Sequence, residues 1–477
     1  MKRILPVFLV LTFILLISCN KNEKNYLKNI EIQGSQLVPS FSKEILEYSV
    51  TSLNSLKPIS ISVTPEDDNA KIEFNYKIID DSKIKIESLD TNKFIEITVT
   101  GGNSYKRVYK IRTLPKGFPP ITIKEKSTPA DGYIFLTNFS LNPAFRTPFG
   151  RYSMIVDNDG KPVYYRKAIL GSADMKQHPN GTYSFFSGKY IKMPEIFGDF
   201  TTLDENLNVS STFTVEHGYT DMHDFRFMKN GNILMFGVEI VEKDLSVIGG
   251  LKNAKIWDYF IEETGPTGKV VKDWRSFDHF KVSDIIENYD LKIPYIEHGA
   301  NCNSIWIEED GNVLLSSRKL DEISKIDWKT GKFIWRMGGI KCKNNQFKFV
   351  DDPLNGFSHQ HSISRVTNGN ILMMDNGNYN SKKSGKDNIF FVPQTRIVEY
   401  QIDEQNKTAK LVWEYKKPGI FVPIMGSVQR LDNGNTFICW SKDSPCITEV
   451  DASGKTVLEI DLPTGFQCFS AYKYKIK

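Results

Sequence analysis

Cysteine is scarce in this chain, with 6 among 477 residues. No two of them stand in a CxxC pair, so a zinc knuckle has no support. Charge of one sign is missing as well: 61 Lys and Arg face 57 Asp and Glu, a net of +4. That balance leaves no electrostatic footprint for nucleic acid and no acidic tail. The apolar stretch from Ile4 to Ile17 is too short, and too close to the polar run Asn20 to Lys24, for a comfortable membrane span. A nucleic-acid binder and a polytopic membrane protein are thereby excluded. What is present is an ordinary globular mixture, 40% hydrophobic and 25% charged, with 31 Phe, 20 Tyr and 7 Trp to fill a large core. Such a composition excludes intrinsic disorder and collagen-like structure. At about 150 residues per domain the length allows two or three domains.

Lys2 and Arg3 with the apolar stretch after them read as a signal peptide over residues 1–18. It ends in Leu16-Ile17-Ser18-Cys19, which resembles the lipobox of bacterial lipoproteins. The resemblance implies that Cys19 is the lipidated first residue of the mature chain, with residues 19–25 as a tether. It further implies a lipoprotein of the bacterial cell envelope, held to a membrane and either periplasmic or surface-exposed. An uncleaved N-terminal anchor is the alternative, and either reading puts the protein outside the cytoplasm. Setting Cys19 aside leaves Cys302, Cys342, Cys439, Cys446 and Cys468, an odd number, so at least one thiol is free. The compartment permits disulfides, and Cys439 with Cys446 or Cys468 is a candidate pair.

The rest of the chain divides into two all-β parts. From 26 to 114 it runs in short alternating segments, such as Ile30-Glu31-Ile32, Ile59 to Val63 and Ile95 to Val99. Period two with polar punctuation predicts strands of a small β-sandwich. The order Leu27, Leu37 to Phe41, Tyr48-Ser49-Val50 and Tyr109 to Arg112 resembles the cadherin-like module of bacterial surface proteins. That resemblance implies a support domain without catalytic residues. Pro115 to Pro120 reads as a linker.

From 121 to 477 a phrase repeats. Asn-Gly or Asp-Gly stands before an apolar alternation, with the glycine at 181, 231, 311, 369 and 434. A second phrase, Gly-Lys before apolar residues, interleaves with it at Gly160, Gly268, Gly331 and Gly454. Each phrase predicts a hairpin with both turn residues at positive φ. Two hairpins per interval make about four strands, the size of a β-propeller blade. An irregular all-β barrel is the alternative architecture. The longest interval predicts an insertion near 243–297, with a short helix over Val282 to Tyr289.

Of the seven histidines, four cluster around three of these blades. His223, His298, and the pair His359 and His361 stand just before successive Asn-Gly hairpins. His223, the segment holding His298 and Asn301, and His361 fall at equivalent places in the repeat, and Arg318 comes next in Ser316-Ser317-Arg318. A propeller's central channel is lined by the strand starts of every blade, so these residues are expected to converge there. His178, His217 and His279 are expected to be ordinary surface or turn residues.

The segments Met222-His223-Asp224, Asn303-Ser304-Ile305, Gly331 to Gly339, Gln360-His361-Ser362, Asp375-Asn376-Gly377 and Thr395 to Tyr400 resemble the bacterial arylsulfotransferase family. Its enzymes move a sulfuryl group between phenols without a nucleotide donor. The resemblance spans about 130–445 and implies a six-bladed propeller. It also implies that His361 is the nucleophile carrying a covalent sulfuryl group, with His223 and Arg318 as its helpers. A neutral imidazole can attack sulfur and later depart, and a guanidinium suits the developing charge on the sulfuryl oxygens. The family usually has a histidine two residues before Asn-Ser-Ile; that position here is Asn301, and His298 lies three residues upstream.

The partners implied are an aryl sulfate donor and a phenolic acceptor, with no cofactor, no metal and no nucleic acid. Two other readings stay open: a non-catalytic propeller binding a sulfated or aromatic ligand, and a metal hydrolase using His359 and His361.

Overall fold

A computed structural model describes residues 25–476, apart from 34–36, 39, 52–58, 76, 80–82, 87–93, 103, 116, 143–144, 169, 193–194, 286–289, 297–298, 379–380, 384–388 and 392. The expected signal peptide and Cys19, and also His298, lie outside the described residues. The chain separates into two compact units, 1–118 and 119–477.

In the first unit a three-stranded sheet is formed by Leu27–Ile32, Ile59–Pro65 and Lys83–Ile86. A six-stranded sheet runs in the order Leu37–Val38, Glu47–Thr51, Lys106–Leu114, Phe94–Thr100, Lys71–Phe74, Lys77–Ile79. Alternation puts Ile30, Ile32, Ile61 and Val63 of one sheet, and Ile95, Ile97, Val99, Tyr109 and Ile111 of the other, into one apolar cluster.

Among the described residues, the second unit holds six sheets built on four antiparallel strands each, and a two-stranded ribbon. Four of the six are consecutive runs of strands. A fifth carries His361 in its first strand, His361–Arg365, and continues through Ile371–Asp375, Arg396–Asp403 and Thr408–Tyr415. The sheet at the start of the unit takes its first strand from the chain's end: Ala471–Tyr474 pairs with Tyr133–Thr137. In return Thr122–Lys126 adds to the last sheet beside Thr456–Asp461. The first strands of successive sheets touch in order, and the last returns to the first, so the six sheets close on themselves. The first sheet lacks the Asn-Gly phrase because its innermost strand arrives from the other terminus.

The turns differ in one respect from the expectation. Gly181, Gly231, Gly311, Gly369 and Gly434 all have φ between +84° and +88°, but the Asn or Asp before each does not have positive φ. In each the glycine N–H returns to a carbonyl three residues earlier, as from Gly231 to Met228. These are type I turns closed by a left-handed glycine, the three-residue hairpin with a bulge. Where an insertion is expected near 243–297, the chain supplies two strands of its sheet, Ala254–Thr264 and Val270–Arg275. Its described helical pieces are one α turn, Ser276–His279, and two 3-10 turns, Ser246–Ile248 and Val282–Asp284. The helix expected from Val282 stops at Asp284, with residues 286–289 outside the described set.

Candidate active site

Four of the six first strands are irregular near their start, whereas Ser427–Arg430 and Ala471–Tyr474 pair in regular register. Register shifts occur between Ala173 and Lys176, Thr220 and Phe225, Cys302 and Ser304, and His361 and Ser364. Asp174, Asn301 and Ser362 adopt positive φ at these places. Such bulges re-aim side chains and break the in-out alternation. They turn His223, Asn301 and His361 to one end of the closed set of sheets, where Arg318 joins them from the 3-10 turn Arg318–Leu320.

His361 is buried. Its Nδ1 lies 2.8 Å from Asn376 Oδ1 and 3.0 Å from the His359 carbonyl oxygen. Asn376 cannot present its nitrogen instead, because its Nδ2 donates to the carbonyls of Val422 and Met425. A ring nitrogen between two acceptors carries the proton, so Nδ1–H donates and Nε2 keeps the lone pair. The Met425 N–H donates to that Nε2 at 3.2 Å. Burial, then the positive charge of Arg318, hold the imidazole well below its usual pKa, against the opposing bond to Asn376. His361 is therefore neutral at pH 7, with its lone pair on Nε2.

His223 is buried, with Nδ1 2.5 Å from Asp221 Oδ1, a carboxylate that also accepts the His223 N–H. The acceptor orients the ring and fixes the proton on Nδ1, as a carboxylate does for many catalytic imidazoles. The edge of the ring meets Phe469. Arg318 is buried and donates from Nη2 to the Pro423 carbonyl, on the loop that also supplies the Met425 N–H. Glu322 is held by Arg336. Asn301 donates from Nδ2 to the Tyr259 hydroxyl at 3.0 Å, and its carbonyl accepts the Arg318 N–H. The structure thus brings His223, Asn301, Arg318 and His361 together.

His359 and His361 do not face one way. The strand begins only at His361, and His359, with φ +56°, lies with its Nδ1 3.0 Å from Asp321 Oδ1. Among the described residues no metal-ligating group forms around this pair. His178 is not a surface residue: it is buried, bonded to Ser184 and set against Phe225 and Phe227. His279 stacks on Trp274, and His217 is exposed.

Four contributors escaped the sequence reading. Asn376 stands inside a segment already singled out, directly before Gly377, and Asp221 directly precedes another, two residues before His223, so a search for imidazole partners nearby would have found Asp221. Tyr259 and the Met425 N–H carry no such signal, since Met425 reaches His361 across 64 residues by way of a backbone at φ +63°.

The sequence profile of the family described as Arylsulfotransferase (ASST) matches residues 121–473. No curated protein matches the chain. Similar solved structures include a protein of unknown function from Bacteroides caccae, 12% identical, covering 72% of this chain and 99% of that one, TM-score 0.44. Another is the periplasmic gluconolactonase of Pseudomonas aeruginosa, 7% identical with coverages of 72% and 99%, TM-score 0.40. At these scores the likeness carries no functional argument.

Proposed function

The chain belongs to the arylsulfotransferase family, and on that premise we propose that it passes a sulfuryl group from an aryl sulfate to a phenol through a sulfohistidine at His361. In the first half, the Met425 N–H gives up its bond to His361 Nε2, the freed lone pair attacks sulfur and the sulfur–aryloxide bond breaks, the aryloxide leaving with the electron pair. His223, entering as an imidazolium held by Asp221, protonates it from Nε2 and is left neutral. In the second half, His223 takes the proton of the acceptor phenol, the phenoxide oxygen attacks sulfur, and the N–S electron pair returns to Nε2. Arg318, and the Met425 N–H once it leaves Nε2, supply charge and a donor to the sulfuryl oxygens in the transition state; their place beside His361 supports that role. The N-sulfo imidazolium is positive, and its Nδ1–H keeps two carbonyl acceptors to disperse that charge.

The observation that carries the reading is this tautomer: a neutral, buried imidazole whose far nitrogen is locked as donor, beside a buried guanidinium. Asn301 takes the place of the usual histidine as a neutral amide tied to Tyr259, so acid–base help falls to His223. The test is two-substrate kinetics with an aryl sulfate and a phenol. Parallel double-reciprocal lines, lost together with transfer in His361→Ala, support a covalent relay. Intersecting lines, or transfer surviving His361→Ala, would sink it.

We also read residues 121–477 as a six-bladed β-propeller, supported by the closed cycle of six sheets, and residues 26–114 as a cadherin-like β-sandwich, supported by their shared cluster. Residues 1–18 serve as a lipoprotein signal peptide and lipidated Cys19 ties the protein to a membrane of the cell envelope. Cys19→Ala is expected to release it into the soluble fraction; retention on membranes would contradict the anchor.

A further inference from the structure

Cys439, Cys446 and Cys468 come from separate places in the chain, yet their sulfur atoms all lie within 4.8 Å of one another and all three are buried. Cys439 ends the strand Thr436–Cys439, and Cys446 precedes Ile447–Val450, the next strand of the same sheet. Cys468 lies in the return that leads into Ala471–Tyr474, the strand that closes the first sheet onto the chain's end.

We propose that these three thiols form a closed site for a thiophilic closed-shell cation, Zn²⁺ or Cu⁺, that ties the last sheet of the second unit to the return leading into its closing strand, Ala471–Tyr474. A triangle of sulfurs with edges no longer than that limit has its centre at most about 2.8 Å from each, and a metal–thiolate bond is about 2.3 Å. A contraction of roughly half an ångström therefore suffices. No histidine or carboxylate joins the group among the described residues, so hard cations such as Mg²⁺ and Ca²⁺ have no ligands here. The three sulfurs are shut from solvent. They complete a trigonal shell for Cu⁺, whereas Zn²⁺ takes a trapped water as its fourth ligand. With no path for a substrate, the site is structural rather than catalytic.

A second observation comes from the neighbouring sheet. Thr137, fully buried beside Cys468, leaves its hydroxyl without a hydrogen-bond partner. A hydroxyl free in this place can orient and support a metal-bound thiolate. Binding replaces S–H protons by the cation and releases them to solvent, so occupancy rises with pH. The site stands apart from the sulfuryl-transfer reading and is tested without activity.

The full chain, purified with reductant and chelator and then freed of both, is offered Zn²⁺ alone or Cu⁺ alone and dialysed. Elemental analysis is expected to find one ion per chain in one or both arms, which also names the ion. Bound metal should shield Cys439, Cys446 and Cys468, but not Cys342, from alkylation in mild denaturant, and should raise the melting temperature. Cys468→Ser and Cys439→Ser lose the ion, whereas Cys342→Ser retains it. If the serine variants fail to fold, the alkylation pattern of the unaltered protein decides. No retention above that of the variants, or a disulfide between any two of the three in protein isolated without reductant, overturns the proposal.

Discussion

Asn376 Oδ1 lies 2.8 Å from His361 Nδ1, and the amide is kept from turning by the Val422 and Met425 carbonyls that hold its Nδ2. One side chain thus chooses which nitrogen of the proposed nucleophile is reactive. Asn376→Asp puts a carboxylate in its place, which favours the imidazolium and orphans two buried carbonyls. We expect kcat to fall by about 10- to 100-fold, the usual cost of losing a ligand's orienting partner. The acid limb of the pH–rate profile should also move to higher pH. A merely structural role for Asn376 would leave that limb where it is.

Arg318 offers a planar fork that an ammonium cannot copy. Arg318→Met is expected to lower kcat by about 10² to 10³, the range seen when one transition-state donor is removed. Arg318→Lys should recover part of this, by charge alone. Steady-state kinetics check it: a change confined to KM would place the guanidinium in ground-state binding instead.

Stability should depend on the buried histidines with a definite sign. Burial holds His178 and His361 well below their usual pKa. Unfolding therefore takes up protons as pH falls through about 6.5, and the stability these groups provide above that value is lost below it. Asp174 works in the other direction: burial raises its carboxyl to about 6, so its protonation favours the folded chain below that pH. The clean readout is a difference. Between pH 7 and 5.5, urea unfolding of wild type should lose stability more steeply than His178→Asn by up to about 1.4 kcal/mol per pH unit. Parallel pH profiles would show that His178 is charged inside the fold.

Gly434 sits at φ +88°, and a Cβ placed there would meet nothing within 4 Å. Gly434→Ala is thus a test of backbone conformation alone, expected to cost about 1 kcal/mol or slightly more. Gly434→Asn should cost less, because asparagine tolerates the left-handed region. Equal stabilities for all three would mean the turn adapts.

The repeating glycines made the hairpins legible, because each marks a left-handed position no ordinary residue occupies cheaply. Two such turns stayed hidden where Leu207 and Lys407 adopt φ +64° and +52° without a glycine to announce them. The place of His223 and His361 before their hairpins was readable from spacing. The bulges that aim them were not, since Asn301 and Ser362 reach positive φ under tertiary constraint rather than by propensity. The same cause defeats simple alternation at His359, whose N–H and Nδ1 are both drawn to Asp321. Pairs among Cys439, Cys446 and Cys468 were legible in the sequence, but the meeting of all three was not, because it depends on how the return holding Cys468 folds against the last sheet.

The central claim is a sulfuryl group held for a moment on one nitrogen. Protein mixed briefly with excess aryl sulfate, without acceptor, then quenched in alkali and digested, is read by peptide mass mapping. The account predicts a gain of one SO₃ on the peptide containing His361, removed by a phenol and missing in His361→Ala. An unmodified His361 peptide from protein that is releasing phenol under the same conditions would contradict it.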